Sequence, residues 1–412
     1  MNPKATAKAR KVSGTRKGAA ALSARSGVSR RAGASRGGTS PARPRPAITT
    51  NRIPLLNVAD YEALARERMD RGAFDYVAGG AGDERTLAMN VGAFDRFVLR
   101  PRVLVDMSRV DTSTTVLGER LSMPVLLAPT ALHRLAHPEG ERATARAAAA
   151  AGTVFVVSTV ASTAIEEVAA ATSGPLWFQL YVYKDPAITR DMVARAEAAG
   201  CRALVLTVDT PMLGRRERDA RNAFALPPGI EPANFAAIHH LVAARAAQEG
   251  QSPFAAQVQQ LFDPSLDWKK VAWLKSITRL PLILKGVVTP EDAKLAVQTG
   301  VAGIIVSNHG GRQLDGAEAT IVALPRVVDA VAGAIPVLMD GGIRRGVHIL
   351  TALALGAQAV LIGRPYLWGL ATGGEQGVRD VLELLRGELE LAMALSGKPT
   401  VASIDRSLVA ME

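Results

Sequence analysis

The sequence predicts an α/β protein, and within that class a (β/α)8 TIM barrel. Two observations carry the prediction. Eight short apolar runs recur along the chain, most of them separated by Ala/Leu/Glu/Arg-rich stretches. Nearly every run also ends in polar groups that chemistry can use. Continuous apolar strands alternating with helices indicate a parallel sheet covered by helices. Eight such units close naturally into a barrel, whose active site sits at the C-terminal ends of the strands. A doubly wound sheet is the competing architecture, because strand counting from one sequence is fallible.

The elements follow in order. A helix is expected over 58–72, where Val58, Tyr61, Leu64, Ala65 and Met69 fall near helical spacing. Apolar runs follow at 125–129 (VLLAP), 154–159 (VFVVST), 176–181 (LWFQLY) and 203–209 (ALVLTVD). Four more lie at 282–286 (LILKG), 303–310 (GIIVSNHG), 336–342 (PVLMDGG) and 359–365 (AVLIGRP). Helices are expected at 139–151, 186–199, 289–299 and 345–355. The connection from Asp209 to Leu282 is out of line in its length, and such a connection usually covers an active site or is disordered. Membrane docking is not expected of it, because His239, His240, Arg245, Gln248, Glu249, Gln251 and Gln257 interrupt 236–262.

Charge separates the chain into two parts. Residues 1–50 hold twelve of the 49 Lys and Arg and no Asp or Glu. The remainder carries 37 basic against 38 acidic side chains, so the formal charge of +11 belongs to the tail. That removes the main support for a specific nucleic-acid function. The tail is Ala, Ser, Gly, Arg and Pro, and reads as a disordered extension of a single domain over 51–412. It lacks the apolar core of a secretory signal; an organelle transit peptide shares its composition. No apolar run approaches ~18 residues, so no membrane span is expected. The single cysteine, Cys201, excludes an intramolecular disulfide and Cys-based metal sites, and no metal is expected. It fits a reducing compartment, and a cytoplasmic location is the expectation.

Chemistry concentrates at the strand ends. His309 follows an apolar run and precedes Gly310 and Gly311, which suggest close backbone approach to a ligand. Imidazole suits proton abstraction near neutral pH. Arg312, in the same loop, can bind a carboxylate bidentately. Asp340-Gly341-Gly342 and Gly363-Arg364 end the seventh and eighth runs, where barrels often bind phosphate, and Arg344 adds charge. Neither a P-loop nor a G-x-G-x-x-G fingerprint is present. Lys285 reads as a Schiff-base nucleophile or as a fixed cation beside an electron-rich cofactor. Of Arg215 and Arg216, one is expected to reach the site.

Nine motifs then resemble one family. They are DYVAGGAGDE (75–84), LAPTA (127–131), HPEGE (137–141), FQLYVYKD (178–185), LTVDTPMLGRR (206–216), LKG (284–286), SNHGGRQLD (307–315), DGGIRRG (340–346) and IGRP (362–365). In this order they resemble the FMN-dependent L-2-hydroxy-acid oxidases and dehydrogenases, of the glycolate oxidase and lactate oxidase type. The resemblance covers about residues 53 to 408. It implies FMN and oxidation of an L-2-hydroxy acid such as lactate or glycolate to the 2-oxo acid. Electrons pass to O2, giving H2O2, or alternatively to a quinone or other carrier. A non-catalytic flavin-binding protein is the reading of another class, and loss of His309, Arg216 or Lys285 would have favoured it.

Residue by residue, the resemblance makes His309 the base and Asp209 the partner of its imidazole. Arg216, Arg312 and Tyr76 bind the substrate carboxylate, and Tyr181 bonds the substrate oxygen. Lys285 lies at the flavin N1–C2=O edge, as a fixed cation. Pro129, Thr130, Ala131, Ser158, Gln179 and Thr207 contact the flavin and ribityl chain. Ser307, Asp340, Gly342, Arg344, Gly363 and Arg364 form the ribityl and phosphate end. A homotetramer is implied as well. Two departures stand out. Val160 replaces a tryptophan, which implies a roomier pocket unless a residue of the long connection, Phe224 or Phe235, fills it. Leu132 and His133 alter the loop after Thr130.

Overall fold

Each apolar run forms a strand in the computed structural model, which describes residues 54–235 and 261–412. The strands are β1 (Val125–Leu127), β2 (Phe155–Val157), β3 (Leu176–Leu180), β4 (Leu204–Thr207), β5 (Leu282–Val287), β6 (Gly303–Val306), β7 (Val337–Asp340) and β8 (Ala359–Ile362). Consecutive strands are parallel neighbours, and β8 pairs with β1 to close an eight-stranded barrel. The doubly wound alternative is thereby excluded.

Strand periodicity explains how the barrel makes a site. Successive side chains of a strand point to opposite faces. Leu126, Val156, Trp177, Val205, Ile283, Ile305, Leu338 and Leu361 share one buried cluster inside the barrel. Two residues further along each strand, the same inward register reaches Ala128, Ser158, Gln179, Thr207, Lys285, Ser307, Asp340 and Gly363. The barrel interior is therefore apolar at its base and polar at its C-terminal mouth. A hairpin of Thr114–Val116 and Glu119–Leu121 adds Val116 and Leu121 to the interior cluster.

The helices between strands bury their apolar faces against the outside of the barrel. Those expected at 139–151, 186–199, 289–299 and 345–355 form at Gly140–Ala150, Pro186–Ala198, Pro290–Thr299 and Gly346–Ala354. Asp185 and Thr289 cap the second and third through their side chains, and Pro186 and Pro290 occupy the first turn. Further helices form at Thr320–Val331 and Arg364–Ser396, the latter interrupted at Gly373 and Gly374.

The opening helix differs from expectation. It divides into α1 (Val58–Arg68) and α2 (Arg71–Ala78). Met69 adopts extended backbone, and the Asp70 carboxylate accepts hydrogen bonds from the N–H groups of Gly72 and Ala73. An N-cap of this kind starts a new helix, and it turns α2 toward the barrel mouth. A third helix, α3 (Arg85–Gly92), follows. The expectations for residues 1–50 and for most of 236–262 concern segments outside the described residues. Among the described residues no helix is long and apolar enough to cross a membrane.

Candidate active site

The barrel mouth holds a cavity that opens to solvent. It is lined by Tyr76, Pro129, Thr130, Ala131, Ser158, Gln179, Tyr181, Thr207, Arg216, Lys285, His309, Arg312, Asp340, Gly342, Arg344, Gly363 and Arg364. Two predicted site residues stand behind the wall. Asp209 is hydrogen-bonded to His309, and Ser307 to Lys285 and to the His309 N–H. Every residue singled out as catalytic, substrate-binding or cofactor-binding thus reaches one site.

His309 is held in an unusual backbone conformation. Its φ is +59°, followed by +64° at Gly310 and +74° at Gly311. A left-handed non-glycine residue costs about 1–2 kcal/mol. A buried clamp offsets that strain. Asn308 and Asn90 exchange reciprocal side-chain hydrogen bonds of 2.8 Å. Asn308 Oδ1 also accepts the Gly311 N–H at 3.1 Å, and Ser307 Oγ accepts the His309 N–H at 3.0 Å.

The glycines of this loop also make room for the protein itself, and Gly310 lines the cavity. A Cβ on Gly311 would lie 2.6 Å from the Leu87 backbone nitrogen in α3. One on Gly310 would meet the Arg364 guanidinium. Gly286 has a comparable role beside Lys285. At φ +117° it sits in an irregularity of the β5–β6 ladder, and a Cβ there would lie 2.7 Å from Asp209.

The central pair is His309 and Asp209, with Nδ1 2.8 Å from Oδ1. An ionised carboxylate only accepts, so Nδ1 carries the proton and Nε2 is left basic. Burial pushes the imidazole below its usual pKa and Lys285 and Arg216 push the same way, while Asp209 opposes. For Asp209 burial acts upward, but His309 and Lys285 hold it below the usual carboxylate range. The site therefore holds a neutral imidazole against a carboxylate at neutral pH. Lys285 lies 3.0 Å from Asp340 Oδ2 and 2.9 Å from Ser307 Oγ. Burial would lower its pKa, but Asp340 and Asp209 raise it, so the ammonium stays charged.

Positive charge is gathered at two places. Arg216 and Arg312 line the cavity near Tyr76, with the Arg312 guanidinium 5.2 Å from the Tyr76 ring centre. Arg312 Nη1 donates to the carbonyls of Tyr76 and Gly79 at the end of α2. Burial and then Arg216 bring its pKa down to about 10. Arg364 donates to the carbonyls of Val77, Ala78, Gly79 and Gly310. Its predicted place at the phosphate end is thus combined with a structural one, pinning the C-terminus of α2. Burial and the charges of Arg312 and Arg344 hold the Arg364 pKa well below the usual guanidinium value. Burial brings Arg344 down to about 10.

These residues fit FMN. Buried arginines that repel one another beside Gly341 and Gly342 are matched by a dianionic phosphate. Asp340 Oδ1 is buried without a hydrogen-bond partner, suited to a ribityl hydroxyl. Gln179 Nε2 donates to Thr207 Oγ1 at 3.0 Å, and Ser158 Oγ donates to Gln179 Oε1 at 3.3 Å. This amide and hydroxyl line offers polar contacts to a flat heterocycle at the barrel mouth. Lys285, buried and charged, is of the kind that would stabilise negative charge on a reduced flavin.

Several site residues carried no signal recognised in the sequence. Asp219 and Leu213 line the cavity, as does Phe262. Gln313 Nε2 donates to the carbonyls of Asp209 and Met212 and fixes the turn after β4. It lies within the SNHGGRQLD motif, the one cue that was available. Neither Phe224 nor Phe235 lines the cavity beside Val160. Phe224 stacks on Tyr76, and Phe235 meets the edge of Tyr183. His133 turns inward, fully buried, with Nε2 2.7 Å from Thr130 Oγ1.

Comparison with known proteins gives one answer. The family described as FMN-dependent dehydrogenase matches residues 65–411. Glycolate oxidase of Spinacia oleracea is 52% identical over 360 residues, covering 87% of this chain and 97% of that protein. A peroxisomal (S)-2-hydroxy-acid oxidase of Oryza sativa subsp. japonica is 52% identical over 361 residues, covering 87% and 96%. A crystal structure of mandelate oxidase with (S)-4-hydroxymandelic acid superposes with a TM-score of 0.82 at 46% identity, covering 86% of this chain and 99% of that one.

Proposed function

The chain belongs to the FMN-dependent dehydrogenase family and is an FMN-dependent 2-hydroxy-acid oxidase; on that premise we propose that it converts an L-2-hydroxy acid to the 2-oxo acid with O2 as acceptor, releasing H2O2. The observation that carries the site assignment is the Asp209-oriented imidazole of His309, facing a cavity that also holds Arg216 and Arg312.

The residues divide the work as follows. Arg216 and Arg312 bind the substrate carboxylate beside Tyr76. Arg312 spends Nη1 on backbone carbonyls, which fixes its plane, and Arg216 Nε is buried without a partner. The Tyr181 hydroxyl makes no hydrogen bond among the described residues and faces the substrate hydroxyl. Nε2 of His309 takes the proton from the substrate Cα. Asp209 stabilises the imidazolium that results and keeps Nδ1–H pointed away from the cavity. Lys285, held charged by Asp340 and Asp209, stands where negative charge gathers at the cofactor. Bound FMN supplies the two-electron acceptor. In balance, the hydroxy acid loses two electrons and two protons, which O2 takes up as H2O2. A homotetramer and a cytoplasmic location remain part of this reading, tested by light scattering and cell fractionation.

Anaerobic mixing with glycolate, lactate, a long-chain hydroxy acid and mandelate tests the reading. At least one should bleach the flavin absorbance, and O2 should then restore it with one H2O2 per 2-oxo acid. Bleaching that O2 fails to reverse but a quinone reverses would reassign the acceptor. A protein that no hydroxy acid bleaches would refute the reading.

A further inference from the structure

The long connection between β4 and β5 returns to the barrel at Phe262. Its backbone is bound there. The Lys184 N–H donates to the Leu261 carbonyl at 3.0 Å, and the Asp263 N–H to the Val182 carbonyl at 2.9 Å. These bonds flank an antiparallel bridge between Tyr183 and Phe262. Downstream, Asp263 accepts from Ser265 and pairs with Lys270. The Phe262 ring is therefore delivered to the cavity by fixed backbone. It is 4% exposed, lines the cavity and stacks on Tyr181 with centroids 4.2 Å apart and planes inclined by 25°. Tyr183 braces it from a third side, edge-on at 5.9 Å.

The Tyr181 ring packs against the core, and Phe262 is the aromatic partner stacked on its face. The Tyr181 hydroxyl has no hydrogen-bond partner among the described residues, so its direction depends on ring packing. We propose that Phe262 is a positioning residue for this reaction: its stack on Tyr181 aims the Tyr181 hydroxyl at the substrate. The proposal rests on the assignment of that hydroxyl to the substrate oxygen.

A double-mutant cycle on the FMN-loaded enzyme tests it, with anaerobic flavin reduction by mandelate or lactate as the readout. Tyr181→Phe keeps the stack and deletes the hydroxyl. Phe262→Leu keeps apolar volume and deletes the stack; Phe262→Met serves if the leucine variant does not fold. An aromatic pair corresponds to about a 2- to 12-fold effect, so Phe262→Leu should slow reduction at saturating substrate by that order. Phe262→Tyr should recover the rate. In the Tyr181→Phe background, Phe262→Leu should change the rate little, because the group it positions is gone. Equal loss in both backgrounds, with no recovery by tyrosine, would show a general packing role and overturn the proposal. An unchanged rate in Tyr181→Phe alone would instead refute the assignment of the hydroxyl, and the proposal with it.

Discussion

Asp209 Oδ1 accepts a hydrogen bond from His309 Nδ1 at 2.8 Å, while Asp209 Oδ2 stays buried without a partner. The bond fixes which imidazole nitrogen is basic. Gly286 behind it permits the approach, since a Cβ there would lie 2.7 Å from Asp209. The orientation of the imidazole is thus supported by a residue outside the cavity lining.

His309→Gln should nearly abolish flavin reduction and leave FMN bound. A general base contributes about 10²–10⁴ in rate. The proposed phosphate end lies on other loops, at Gly342, Arg344 and Arg364, so flavin content should be kept. Stopped-flow reduction and the visible spectrum check the two halves; near-normal reduction would reject the base.

The pH profile of kcat/KM follows from the same pair. Burial depresses the His309 pKa below its usual 6.5, so the acid limb should fall below pH 6.5, where Nε2 becomes protonated. Asp209 raises the His309 pKa, so Asp209→Asn should move that limb to lower pH. The plateau should drop at the same time, by about 10²–10⁴, because Nδ1–H is no longer held. A limb that moves upward in the Asn variant would contradict the geometry.

Arg312→Lys should restore only part of what Arg312→Met loses. An ammonium is a point charge and cannot hold the Tyr76 and Gly79 carbonyls while presenting a second face to a carboxylate. The loss should fall on KM as well as on the reduction rate, measured by steady-state and single-turnover kinetics.

Asn90→Ala should slow reduction although Asn90 lies outside the cavity lining. It removes the buried partner of Asn308, and an unsatisfied buried polar group costs about 1–3 kcal/mol. The left-handed backbone at His309 loses its clamp. Denaturant unfolding should show lower stability, and a reduction rate equal to wild type would show that the loop holds without it.

The barrel was legible because strand parity writes it into the sequence. Inward residues run from Ile283 to Lys285 or from Leu338 to Asp340, so apolar runs end in chemistry. What escaped the sequence depends on contacts between distant segments. Asn90 meets Asn308 across 218 positions, and Gly311 makes room for the backbone of Leu87. Neither relation leaves a local pattern. The break between α1 and α2 had a local cue, the capping residue Asp70, which the helical spacing of the neighbouring apolar residues obscured. Phe262 lies at the end of a long connection, where its partner Tyr181 is fixed only by folding.

Val160 is expected to set how large a substrate the cavity takes. Its side chain lines the cavity, and its backbone is held by bonds with Ser158 Oγ and the Leu132 N–H. Phe224 and Phe235, the candidates to fill the space of a tryptophan, pack on Tyr76 and Tyr183 instead. Leu213, Phe262 and Val160 line the same cavity with apolar side chains. Mandelate or a long-chain hydroxy acid should therefore exceed glycolate in kcat/KM. Val160→Trp should reverse that ratio, since filled apolar space is worth about 1–3 kcal/mol, or roughly 10–200-fold in specificity. The alternative is overpacking, in which the indole finds no room and every substrate suffers alike. Ratios across the panel separate the two outcomes where absolute rates would not. A uniform loss would show that Phe262 already occupies the volume, and it would leave the roles of His309 and Asp209 intact.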